Sequence, residues 1–246
     1  AYFESLGGEI RTNCEIHSLS DLPPAKKILF NLTPQQIISI AGDALPANYI
    51  SRLKRYRYGP GVFKIDYALS EPVPWTNPEV KRAGTVHLGG TLEEIALSER
   101  LFIEGIHAEK PFVLVAQHSL FDDTRAPDGK HTLWAYCHVP NGSTKDMTDI
   151  IENQIERSAP GFRDVVLARH TMNTQQLQTY NPNYIGGDIN GGIQDLLQLF
   201  TRPVVSISPY CTPNEKLYIA SSSVPPGGGV HGMGGYFAAK EALKSL

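Results

Sequence analysis

Twelve residues near the C-terminus, Val224-Pro225-Pro226-Gly227-Gly228-Gly229-Val230-His231-Gly232-Met233-Gly234-Gly235, have the composition of an anion cradle. They follow a short apolar run, Leu217-Tyr218-Ile219-Ala220, and lead into Tyr236–Lys244, which reads as a helix. Where a strand, a glycine-rich loop and a helix start meet, small residues let a ligand approach the main chain, and the helix N-terminus favours negative charge. The competing reading is a flexible glycine loop before a terminal helix. Pro225 and Pro226 stiffen the entry, which a floppy linker would not need. The Gly-x-x-x-x-Gly-Lys-Ser/Thr pattern is missing, which argues against a triphosphate cradle.

Other residues with chemical potential are scattered. Asp188, between Gly187 and Ile189, either faces a substrate channel or makes an Asx-turn or helix cap. His118 and His138 flank a hairpin and could approach one another, but with no third ligand they do not define a metal site. Trp134, Tyr136, Phe112 and Tyr67 could wall an apolar channel or serve as ordinary core. No catalytic acid or base stands out.

The elements that must position these residues are legible in outline. Ala25–Leu32 reads as a buried strand, followed by a helix that Thr33 would cap, with Pro34 in its first turn and Gln36 completing a capping box. A second capping box, Thr91 with Glu94, opens a helix to about Glu104. The alternation of Phe63, Ile65 and Tyr67 predicts a half-buried strand. Pro111–Gln117 and His131–Val139 read as an antiparallel hairpin turning through Pro127-Asp128-Gly129. Asp146–Arg157 is an amphipathic helix with Met147, Ile150, Ile151 and Ile155 on one stripe. Strands are also expected at Glu9–Leu19, Thr85–Leu88 and Phe162–His170, and a short helix at Ile193–Phe200.

Composition sets broad limits. The chain has 246 residues, 41% hydrophobic and 19% charged, as in soluble globular proteins. A formal charge of −3 gives no electrostatic reason to expect nucleic acid, and the basic cluster Arg52–Arg57 reads as a solvated face or junction. Three widely spaced cysteines do not form a disulfide framework and suit a reducing compartment. No apolar run reaches the roughly 20 residues of a membrane span. The expected setting is the cytoplasm, with peripheral membrane contact left open and the oligomeric state undetermined. The chain starts Ala1-Tyr2-Phe3-Glu4-Ser5-Leu6-Gly7-Gly8, which reads as the tail of a helix closing on a glycine cap; a fragment is therefore expected.

The stretch Leu217–Gly232 resembles the C-terminal flavin-binding signature of phytoene desaturase-like FAD-dependent oxidoreductases. Gly7-Gly8-Glu9-Ile10, Val62–Leu69, His87-Leu88-Gly89-Gly90, Asn181-Pro182-Asn183 and Gly186-Gly187-Asp188-Ile189 are also similar to that family, so the likeness runs along almost the whole chain. The family's N-terminal Gly-x-Gly-x-x-Gly turn, which holds the ADP half of FAD, does not occur here.

The resemblance implies the C-terminal part of such an enzyme. The implied fold is α+β: a mostly antiparallel substrate domain with helices (51–209), flanked by partial α/β flavin-domain segments at both ends (1–50 and 210–246). It implies FAD in the intact protein and weak or no retention by this chain. It further implies hydride transfer between FAD and an apolar substrate, such as a carotenoid-like polyene, a related isoprenoid or another apolar alkene. The implied cofactor contacts are Ser221, Ser222, Ser223, Gly227, Gly228, Gly229, Val230 and His231. The three serines would either donate to the ribityl or phosphate groups or cap the turn. The amides of Gly229, Val230 and His231 are expected at the start of the last helix, facing the electron-rich edge of the flavin. His231 would add a side-chain contact or merely mark the helix start. A non-catalytic module binding an apolar ligand or a partner protein is the alternative.

Overall fold

The computed structural model describes residues Ala1–Leu246. In chain order the strands are β1 (Ile28–Phe30), β2 (Gly61–Leu69), β3 (Thr85–Leu88), β4 (Val113–Ala116), β5 (His131–Val139), β6 (Val166–Met172) and β7 (Leu217–Ile219). The α-helices are α1 (Tyr2–Ser5), α2 (Pro34–Ala41), α3 (Ala47–Leu53), α4 (Leu92–Ile103), α5 (Thr148–Glu156), α6 (Thr174–Tyr180), α7 (Leu196–Thr201) and α8 (Met233–Leu243). The fold is α+β. It divides into one unit of residues 1–56, 200–226 and 230–246, and another of residues 57–199 and 227–229. No helix is long and apolar enough to cross a membrane.

In the first unit, two three-residue strands from opposite ends of the chain pair in parallel, Ile28 opposite Leu217 and Phe30 opposite Ile219. Alternation sends the side chains of β7 to opposite faces. Leu217 and Ile219 join Phe30, Ile37, Leu53 and Val224 in the core that α2 and α3 cover. Tyr218 points the other way, onto Ala238 and Ala242 of α8. Helices therefore pack on both faces of a parallel pair, as in α/β layering.

The expected strand at Glu9–Leu19 does not form. Ile10 and Cys14 are exposed and no partner strand satisfies the backbone; a short 3₁₀ turn at Leu19–Asp21 is its only helical feature.

In the second unit, alternation of apolar residues along β2 and β5 builds a five-stranded antiparallel sheet of order β3-β4-β5-β2-β6. Phe63, Ile65, Tyr67, Leu133, Ala135 and Cys137 face one side, where Met147, Ile151 and Ile155 of α5 cover them. All three of those α5 residues are fully buried, so the predicted stripe is the docking face of the helix. Burial raises the Cys137 thiol to about 12, which keeps it an inert core residue. The strand expected at Phe162–His170 begins only at Val166, because Gly161 turns left-handed (φ 89°) and starts a 3₁₀ turn. Phe162 there is buried edge-on against Tyr67, ring centroids 5.3 Å apart.

Both caps named at the start of α4 are in place: Thr91 Oγ1 accepts from Glu94 N, and the Glu94 carboxylate accepts from Thr91 N. The β4–β5 connection is tied by Asp122, which accepts from the Arg125 guanidinium and from the Thr124 amide. These donors, Arg125 first, hold the Asp122 carboxyl down to about 2. Its folded pKa is depressed, so its contribution to folding is present above the unfolded value and is lost as pH falls through about 2. In a carboxyl NMR titration Arg125→Ala moves the Asp122 midpoint up toward the ordinary 3.8; an unchanged midpoint would rule out the ion pair.

Candidate functional site

The chain leaves β7 through Ala220, whose amide donates to Phe30 O at 2.8 Å and so extends the parallel pairing by one residue. Ser221 and Ser223 are buried, and Ser222 is half-buried. Ser221 Oγ accepts from Ser223 N at 3.2 Å, and Ser221 O accepts from Val224 N at 3.2 Å. The Ser221 hydroxyl thus caps the turn. Ser222 O accepts from Nη1 of Arg202 at 2.9 Å, and Arg202 is only 1% exposed. Ser222 is among the expected contacts, but Arg202 carries no sequence signal. A buried guanidinium reached only through tertiary packing leaves no local pattern.

The last helix begins at Met233, three residues before the Tyr236 start read from the sequence and two after the amides expected to open it. Gly229, Val230 and His231 lie before it, and Gly232 in the left-handed region (φ 65°) is its N-cap, so Met233 is the first helical residue. The main-chain reversal at Gly232 is what an L side chain resists, and it postpones the helix. Val230 is fully exposed. His231 Nδ1 accepts from Met233 N at 3.1 Å, so its side chain acts as a cap at the helix start. The first-turn amides of Gly234 and Gly235 have no carbonyl partner. Gly234 lies against the strand exit: a Cβ built there would come within 2.7 Å of Ser221 O and 2.8 Å of Ala220 O. Gly234 and Gly235 lie beyond the residues expected to contact the cofactor, at the far end of the same glycine-rich stretch.

Gly227, Gly228 and Gly229 belong to the second unit. A Cβ on Gly228 would meet Gln194 Nε2 at 2.7 Å and Asn190 Oδ1 at 2.8 Å, so the loop needs a bare backbone there. The 188–194 segment beneath it is held by Asp188, a fully buried carboxylate. Asp188 Oδ2 accepts from Gly59 N (2.7 Å) and Gly192 N (2.8 Å), and Oδ1 accepts from Asn190 N (2.7 Å). Asp188 is thus the Asx-turn residue of the two alternatives, with every contact to backbone. Asn141 Nδ2 reinforces it by donating to Gly59 O at 2.8 Å and Ile185 O at 3.0 Å.

The side of the five-stranded sheet away from α5 is the other candidate surface. Cross-strand register aligns Tyr136 with Lys64 and Leu114, and Trp134 with Asp66 and Ala116. Trp134 and Tyr136 stack nearly parallel, centroids 6.0 Å apart, and His138 continues the row 5.9 Å beyond Tyr136. Lys64 forms an ion pair with Asp66 beside this ladder. Of the aromatics named as channel walls, Trp134 and Tyr136 share this face, whereas Tyr67 is on the core side, and Phe112 packs edge-on against His87 at 5.2 Å. The face is therefore mixed aromatic and charged rather than uniformly apolar. Burial, aided by repulsion from Glu99, raises the Tyr136 hydroxyl above its usual range.

His118 and His138 do not meet. His118 Nε2 is 2.8 Å from Thr132 Oγ1, while His138 lies six residues further along β5, about 20 Å at strand spacing. Burial, with Arg125 nearby, lowers the pKa of His118. His138 Nδ1 instead faces the Glu99 carboxylate of α4, at 2.9 and 3.1 Å. A cleft of about 460 Å³ runs along α4, floored by Leu97, Leu101 and Ile106.

The fold has counterparts among solved structures. An oxidoreductase from Methanosarcina mazei matches with a TM-score of 0.50 at 16% identity, covering 91% of this chain and 44% of that one. Putrescine oxidase bound to putrescine matches with a TM-score of 0.50 at 14% identity, covering 89% of this chain and 42% of that one. At such identities the likeness is one of fold.

By sequence, the chain is similar to pyridine nucleotide-disulfide oxidoreductase domain-containing protein 2 from Rattus norvegicus and from Mus musculus, 29% identical to each over 238 residues. The match takes in 87% of this chain, which spans 39% of the length of those relatives. No family model matches.

Proposed function

We propose that this chain is the substrate-domain portion, with pieces of the flavin domain, of an FAD-dependent oxidoreductase related to the phytoene desaturase-like enzymes. On this reading residues 1–50 and 210–246 belong to the flavin domain and 51–209 to the substrate domain. The observation that carries it is the exit from β7 into α8: a turn through Ser221–Ser223, a bare backbone at Gly234, and two open amides at the N-terminus of an eleven-residue helix. The similarity to curated oxidoreductases along most of the chain supports the same reading.

The residues present fit the group. Gly234 lets α8 start close against the strand exit at Ala220 and Ser221, and the Gly234 and Gly235 amides offer donors with the helix dipole behind them. FAD would supply the acceptor for a hydride. The chain's own part is to hold and orient: the amides of Gly234 and Gly235, with Gly229, Val230 and His231 leading into them, stabilise negative charge on the cofactor. Loss of one such donor would cost about 3 kcal/mol of transition-state stabilisation. Ser221 shapes the turn, Ser222 and Ser223 line it, and Arg202 anchors it through Ser222 O. The substrate has an apolar body, isoprenoid- or carotenoid-like in the family analogy, and it lies on the Trp134–Tyr136 face, where Lys64 and Asp66 demand a polar feature as well.

FAD titration of this chain, followed by flavin absorbance after gel filtration, tests the division of labour. The chain retains little or no FAD, because the residues that would anchor the ADP half are absent from it. Stoichiometric retention would overturn that division.

A further inference from the structure

His138 is fixed in a way that structural packing alone does not require. Its Nδ1 lies within hydrogen-bond distance of both Glu99 oxygens, so that nitrogen is the proton donor. In the neutral ring Nε2 is then an acceptor. Nε2 makes no hydrogen bond within the chain and is not among its buried unpaired atoms, so it opens to solvent. Phe102 stands edge-on to the ring at 5.5 Å and Tyr136 flanks it at 5.9 Å, which limits how the imidazole can turn. The ring is only 19% exposed. A carboxylate that sets the tautomer and orientation of an imidazole, leaving the opposite nitrogen available, is the arrangement of a positioned base.

We infer that His138 is the proton acceptor and hydrogen-bond anchor of a small-molecule site on the open face of the sheet, with Glu99 as its positioning residue. The ligand has a flat apolar body that lies along the Trp134–Tyr136 ladder, and an O–H or N–H donor that meets Nε2. The complementarity is specific: two stacked rings spanning 6.0 Å receive a planar group, and a fixed acceptor at the end of the row receives a donor. The inference rests on the proposed flavin chemistry only for the fate of the hydride. Oxidation of a group HC–XH to C=X, with X oxygen or nitrogen, releases a hydride and a proton. FAD, when bound, would supply the hydride acceptor for such an oxidation, and the part of His138 would be to take the X–H proton on Nε2. The substrate class is thus an alcohol or amine whose X–H adjoins the oxidised carbon, not a plain hydrocarbon.

The test uses the chain without flavin, so its outcome is separate from that of FAD binding. Trp134 is the half-exposed tryptophan on this face; Trp75 is buried and hydrogen-bonded to Gln117, so quenching reports the ladder. The probes are 2-naphthylmethanol, its methyl ether and 2-naphthylmethylamine. The alcohol or the amine binds about tenfold more tightly than the ether, the discrimination a site gains by hydrogen-bonding a donor. Whichever of the two is preferred identifies X. In His138→Phe the preference disappears while ether binding persists. In Glu99→Gln the preference falls several-fold and the imidazole ¹⁵N shifts move toward a mixture of tautomers. Both side chains are partly exposed, and thermal melts confirm that each variant is folded. Equal binding of alcohol, amine and ether, a preference that survives in folded His138→Phe, or no quenching by any probe would overturn the inference.

Discussion

Gly234→Val lowers the stability of the chain by about 3 kcal/mol, measured as a shift in the midpoint of urea unfolding at unchanged slope. The reason is local. The carbonyls of Ser221 and Ala220 already lie 2.7 and 2.8 Å from where a Cβ would stand. Both are backbone atoms, so neither can swing aside as the end of a side chain can. Either α8 moves off β7, unpacking Ala238 and Ala242 from Tyr218, or the serine turn opens. The neighbouring glycine is the control. A Cβ on Gly235 meets nothing within 4 Å, so Gly235→Ala leaves stability unchanged or raises it by up to about 1 kcal/mol through helix propensity. Equal effects of the two substitutions would show that close packing of helix on strand exit is not what Gly234 provides.

Asp188→Ala costs about 4 kcal/mol, among the largest single-residue effects in the second unit. Three backbone amides, those of Gly59, Asn190 and Gly192, lose a charged acceptor at once, and the carboxylate they share is fully buried. Asp188→Asn keeps the volume but puts an NH₂ where one oxygen accepted, so it recovers only part of the loss. The consequence extends to the glycine loop: Asn190 borders Gly228, so releasing Asn190 loosens the floor under Gly227–Gly229. Hydrogen exchange should therefore accelerate at Gly59, Asn190 and Gly192 in the Asn variant, in step with its lower unfolding midpoint. Unchanged protection at all three amides would refute this pinning role.

What the sequence made legible was what local chemistry governs. The β4–β5 hairpin follows from the apolar run in Pro111–Gln117, the alternation along His131–Val139 and a Pro-Asp-Gly turn, the start of α4 from Thr91 and Glu94, and the buried stripe of α5 from the spacing of Met147, Ile151 and Ile155. Parity also separated Trp134 and Tyr136 from Leu133 and Cys137 before any register was known. What stayed hidden depends on partners distant in sequence. Glu9–Leu19 has strand-like residues but no strand beside it. The pairing of Ile28–Phe30 with Leu217–Ile219 joins segments from the two ends of the chain, which no window spans. Tyr67 was grouped with Trp134 and Tyr136 because aromatic character was weighed above parity; cross-strand pairing with Leu133 puts it in the core. The start of α8 is blurred in sequence by the run of glycines between 227 and 235, and only the left-handed turn at Gly232 fixes it at Met233, between the amides at 229–231 and the Tyr236 start that the sequence suggests. Glu99 beside His138 and Arg202 beneath Ser222 are tertiary meetings without a sequence signal.

The most direct measurement is the flavin absorbance of the protein purified at the full length of its natural chain, native and Gly234→Val side by side, with folding of each verified by circular dichroism. If the amides at the start of α8 meet the cofactor, the native protein is yellow with FAD bound at one per chain, and the variant loses most of that absorbance while remaining folded. A colourless native protein that takes up no added FAD, or a folded variant that holds FAD as tightly as the native form, would contradict the assignment.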